Sequence, residues 1–143
     1  MTAVVIDDHL VRDVLCDEIS GDLRRRLRGR QIATTNMYYV RLCKSAVAAR
    51  GGALTGSWTA ERRMELSRSL FVLPDEIAVA PLRQIAFRMA ELTERHPLST
   101  LGAEAVAAAE HLDAPLVVWA GDDGPHIRAA AASVGVRYHA VEQ

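Results

Sequence analysis

The chain has 143 residues, of which 50% are hydrophobic and 24% charged, with a formal net charge of -1. That is enough for one domain with its own core, too apolar for a disordered segment, and too close to neutral for a global field that draws nucleic acid. The two cysteines, Cys16 and Cys43, make neither a disulfide framework nor a zinc set.

Val4-Val5-Ile6 is a short β-branched run, the pattern of a strand buried on both faces of a parallel sheet. Asp7-Asp8 follows at once. Local chemistry makes Asp8 the cap of a helix over 9–16, with Asp7 a surface acid; the pair also suits half of a metal site. The opening Met-Thr-Ala-Val-Val-Ile-Asp has no basic n-region, so no signal peptide is expected, and the sparse cysteines point to a reducing cytosol. No apolar run approaches the roughly 20 residues of a membrane span. A second short helix is expected within 21–29. Here Arg24, Arg25, Arg26, Arg28 and Arg30 place five arginines in seven residues. Such a run is either a solvated face, offset by Asp17, Glu18 and Asp22, or a contact for RNA phosphates. Residues 31–33 form a very short strand.

Thr34-Thr35 opens a longer helix through 49, ended by Arg50-Gly51-Gly52. Its apolar centre is expected near Val40, Cys43 and Val47, with Arg41 off that stripe beside Met37 and Lys44. A helix over 59–70 and a strand over 77–79 follow a Gly/Thr/Ser loop. Pro81 suits the first position of a helix over 82–95. Ser99-Thr100 starts an Ala-rich helix to 112. Residues 115–119 are the clearest strand, with Trp119 in the core. Asp122-Asp123, within Gly-Asp-Asp-Gly-Pro, reads most simply as a turn and cap. A helix over 126–133 and a strand over 136–141 end the chain.

The alternation predicts one α/β domain over 1–143, with a mostly parallel sheet between helical layers. Ligands of such sheets sit beyond the carboxyl ends of the strands. Both acid pairs, Asp7-Asp8 and Asp122-Asp123, fall at that edge. His9, His96, His111, His126 and His139 show no metal-ligand spacing and receive no role. No Gly-rich phosphate loop follows a strand.

Three stretches resemble the PIN domain, the fold of many metal-dependent ribonucleases, including the toxins of bacterial toxin–antitoxin pairs. Val5-Ile6-Asp7-Asp8-His9-Leu10-Val11 is similar to the family's strand-ending aspartate and the helix after it. Ile32-Ala-Thr-Thr-Asn-Met-Tyr-Tyr-Val-Arg-Leu42 is similar to its second helix, entered through Thr35. The third runs over 98–141: an Ala-rich helix, Asp113-Ala-Pro-Leu-Val-Val, an acidic turn, a short helix and Val134-Gly-Val-Arg-Tyr. The resemblance covers nearly the whole chain. It implies a three-layer α/β/α fold, with carboxylates around Mg²⁺ or Mn²⁺ that prepare a water for attack on a phosphodiester. It also implies an RNA substrate, an antitoxin-like protein partner and a homodimer.

The acidic motif matches in one place of four. Asp7 falls on the first acid. The family's later acids fall on Arg41, Gly102 and Ala120. Glu104 and Asp122 stand two residues past vacated positions, and two residues on a helix are about 200° of rotation. Glu104 borders the stripe of Leu101, Ala105, Ala108 and Leu112, while Glu110 points away. The resemblance thus implies a rearranged ligand set of Asp7, Glu104 and Asp122, assisted by Asp8 or Asp123. Arg41 would repel Mg²⁺; it could pair with Asp7 or hold a phosphate. The alternative is a non-catalytic PIN-like module that binds RNA or a protein. An unrelated small α/β module is the third reading.

Overall fold

The alternating apolar runs become a five-stranded sheet in the order β3-β2-β1-β4-β5, every pair parallel. The structure, a computed structural model, describes residues 2–48, 50 and 52–142. Its elements are β1 (Ala3–Ile6), α1 (Asp8–Leu15), α2 (Gly21–Leu27), β2 (Gln31–Thr34), α3 (Asn36–Val47), α4 (Ala60–Phe71), β3 (Ile77–Val79), α5 (Leu82–Arg95), α6 (Thr100–His111), β4 (Leu116–Trp119), a 3-10 turn (Ala120–Asp122), α7 (Pro125–Ser133) and β5 (Tyr138–Val141).

Two cores flank the sheet. On one face α5, α6 and α7 supply Ile85, Met89, Leu92, the alanines of α6, and Ala130 and Ala131. On the other, α1 to α4 supply Leu10, Val11, Leu23, Leu42, Leu66 and Leu70. This is a three-layer α/β/α arrangement. Val4, Val5 and Ile6 are wholly buried because β1 is the central strand, covered on both faces. Every residue of α6 from Gly102 to Ala109 is buried, and the small side chains let that helix lie close on the sheet.

The elements follow the expected order, with local corrections. Asp7, not Asp8, caps α1: its backbone is extended and its Oδ1 accepts from Leu10 N at 3.0 Å. The apolar face of α3 is not Val40, Cys43 and Val47. Val40 and Val47 are exposed, and the buried positions are Tyr38, Leu42, Ser45 and Ala46. Leu42 and Ala46, four apart, set the phase by packing with Leu10 and Leu66 in one core. The predicted end of α3 at Ala49 lies outside the described residues. The last strand starts at Tyr138, because Gly135, at φ 76°, must first turn the chain out of α7. Among the described residues, no helix is long and apolar enough to cross a membrane.

Candidate functional site

In this sheet the chain runs from β1 outward to β2 and β3, then returns to place β4 and β5 on the other side. The reversal leaves a crevice at the carboxyl ends of β1 and β4, where ligands of such sheets bind. Asp7 closes β1 at that point. Its Oδ1 caps α1, and its Oδ2 accepts from Trp119 N, at the end of β4, at 2.9 Å. One carboxylate therefore ties the two strands across the crevice. Beside it, Thr34 Oγ1 donates to Ile6 O at 2.8 Å and fixes the end of β2 to β1.

Asp7 and Asp8 are both wholly buried. Burial pushes the Asp7 carboxyl up to about 7, against the amides of Trp119 and Leu10, which favour its charge. Asp8 Oδ1 accepts from His9 N at 2.9 Å, while its Oδ2 is buried without a hydrogen bond. The Arg41 guanidinium lies 3.2 Å from that oxygen. Arg41 thus pairs with Asp8 and not with Asp7, the partner the sequence suggested.

His9 is the residue that spacing did not pick out. Its Nδ1 lies 2.8 Å from Asp122 Oδ2 and 3.4 Å from Asp8 Oδ1. These are ion-pair contacts, not aligned hydrogen bonds. Burial opposes the charge on His9, but the Asp122 and Asp8 carboxylates outweigh it and raise the imidazole to about 9. The same contact with His9 holds Asp122 below the usual carboxylate range. The Trp119 ring lies over the imidazole, with centroids 4.3 Å apart. Trp119 is half-buried and packs this site rather than the deep core. The signal for His9 was its place in the first turn of α1, directly after the two acids.

Asp7, Asp8, His9 and Asp122 each offer one ligand atom, all within 4.8 Å of one another. The three carboxylates make an oxygen donor set suited to Mg²⁺ or Mn²⁺, and His9, protonated at neutral pH, would have to give up its proton to join them. The buried Asp8 Oδ2, which faces Arg41 without an aligned hydrogen bond, and the Asp7 carboxyl held up by burial are the groups a cation would engage.

Glu104 does not join them. Wholly buried, it accepts from Asn36 N at 3.1 Å, Asn36 Nδ2 at 2.9 Å and Met37 N at 2.9 Å. It thus satisfies the first amides of α3, where a carboxylate is favoured. Thr35, also buried, caps the same helix by accepting from Tyr38 N. Asp123 lies outside the cluster too: it accepts from Arg128 and from the Tyr138 hydroxyl, each at 2.8 Å, and pins the turn to α7 and β5. In α2, Arg25 and Arg26 pair with Asp22 at 3.6 and 3.3 Å, and Arg24 is exposed.

No protein-family model matches the chain, and no curated protein matches it.

Proposed function

We propose that this is a PIN-like protein related to the metal-dependent ribonucleases of toxin–antitoxin systems, with Asp7, Asp8 and Asp122 as the carboxylates of a single Mg²⁺ or Mn²⁺ site and His9 at its side. The observation that carries the reading is the convergence of these four residues at the crevice between β1 and β4. The positions of the missing acids support it as well. Arg41 touches the cluster, Gly102 lines the adjoining cleft with Arg41 and Asp122, and Ala120 opens the turn that carries Asp122. Of the family's four places, only the first keeps its acid.

The residues divide the work by position. Asp7 holds the two strand ends at a fixed separation. A cation held there would favour its ionised form. Asp122 and Asp8 bring the remaining negative charge, and His9 holds Asp122 in place until a cation competes for it. Arg41, 40% exposed, is free on its outer side to hold a phosphodiester oxygen. A bound divalent cation supplies a polarised water and charge on the phosphate. The partners in this reading are RNA and, in the cytoplasm, an antitoxin-like protein or a second copy. Val40, Val47 and Phe71, exposed along α3 and α4, are the apolar surface on offer.

Calorimetry with Mn²⁺, together with cleavage of single-stranded RNA, tests the site. Wild type should bind the cation and cleave, and Asp7→Asn should do neither. Equal cleavage by the two proteins would refute this site.

A second reading is a non-catalytic RNA- or protein-binding module. It is favoured by the two internal cations, since Arg41 on Asp8 and His9 on Asp122 already offset much of the acidic charge. Absence of Mn²⁺ binding at millimolar concentration would select it.

A further inference from the structure

A cleft of about 300 Å³ opens beside the carboxylates, sharing Asp122 and Arg41 with them. Its other walls are mainly apolar: the Tyr38 ring, Leu98, Leu101 and Ile127. The volume is at the low end of the roughly 300–1,000 Å³ of small-molecule pockets, enough for one nucleoside. Apolar walls suit the faces of a flat base. The one cation shared with the cluster suits an anion attached at one end of that base's sugar. Gly102 keeps the floor open. A Cβ there would meet Leu98 Cδ2 at 3.4 Å and Ile127 Cδ1 at 4.0 Å. A methyl therefore fits at ordinary contact, and any longer side chain must enter the cleft.

We infer that this cleft is a nucleoside subsite: it takes the base and ribose of the nucleotide next to the carboxylate cluster, with Arg41 on that nucleotide's phosphate. The inference deepens the PIN-like reading by naming what the site holds beside the cation, and it rests on that reading for the cluster's role. Binding in the cleft itself uses walls that need no metal.

The test is a titration of the full chain, in EDTA, with each of the four nucleoside 5′-monophosphates, with adenosine and with inorganic phosphate. It is followed by the methyl resonances of Leu98, Leu101 and Ile127. The nucleotides should shift those methyls and inorganic phosphate should not. Gly102→Ala should bind nearly as wild type, whereas Gly102→Leu should weaken binding at least about tenfold. Arg41→Ala should weaken the monophosphates by roughly tenfold while leaving adenosine unchanged. Melting curves check that each variant is folded. The inference is overturned by unshifted methyls with all four nucleotides up to about 10 mM, by the same shifts with phosphate alone, or by undiminished binding in folded Gly102→Leu. Mn²⁺ calorimetry on the same protein separates the two levels. Nucleotide binding without Mn²⁺ binding sustains the subsite and removes the cation site; the reverse removes the subsite alone.

Discussion

Raising the pH of the metal-free protein should destabilise it in a window set by His9. The imidazole is raised from 6.5 to about 9 in the folded chain. A group raised on folding contributes stability that is complete below its unfolded value and lost as pH climbs through its folded value. The contribution is therefore present below 6.5 and gone above about 9. At about 1.4 kcal/mol per pH unit, the ceiling is about 3 kcal/mol. Asp7 slopes the same way at lower pH. Raised by burial from 3.8 to about 7, it keeps its proton where the unfolded chain has lost it, so folding weakens as pH rises through that range too. The two share Asp122 as a neighbour, so their effects do not add. Urea unfolding in EDTA, measured across this window, should show the free energy falling by about 2–3 kcal/mol. His9→Gln should flatten most of that fall. A wild-type profile that is level or rising between 6.5 and about 9, or a His9→Gln profile with the same slope, would refute the pairing of His9 with Asp122 and Asp8.

Three further outcomes follow from the contacts. Glu104→Ala leaves the Asn36 and Met37 amides without their acceptor, and urea denaturation should show a loss of about 3 kcal/mol. Arg41→Ala removes the cation beside Asp8, and calorimetry should show Mn²⁺ binding tightened on the order of tenfold. Asp123→Asn breaks partly exposed contacts to Arg128 and Tyr138; thermal melting should show a cost below about 1 kcal/mol, and Mn²⁺ binding should be unchanged.

Much of the architecture was legible because its signals are local. The β-branched run before Asp7, Pro81 at the head of α5 and Ser99-Thr100 at the head of α6 each act within a few residues. The phase of α3 was not legible. Its apolar residues fit two stripes, and only packing with Leu10 and Leu66 selects Leu42 and Ala46 over Val40 and Val47. The same divide runs through the site. Asp7, Asp8 and Asp122 could be placed at one edge from the strand ends alone. Glu104, which the resemblance assigned to the metal set, instead holds amides of α3 far away in the chain, a contact no local signal shows. The rotation of about 200° between positions 102 and 104 explains the outcome: Gly102 lines the cleft, and Glu104 reaches the start of α3. His9 escaped notice because its partner Asp122 belongs to a turn that only β4 brings near.

The bond from Trp119 N to Asp7 also sets a timetable. Asp7, Asp8, His9 and Arg41 are made early in synthesis, whereas Gly102, Trp119 and Asp122 come with the last third of the chain. The central strand gains its second neighbour, β4, only then. Domains generally form as units once the needed segments have emerged. A ribosome-bound chain that stops after α5 therefore has neither the crevice nor the cleft. The site can begin to work only once β4 and the turn that carries Asp122 have been added.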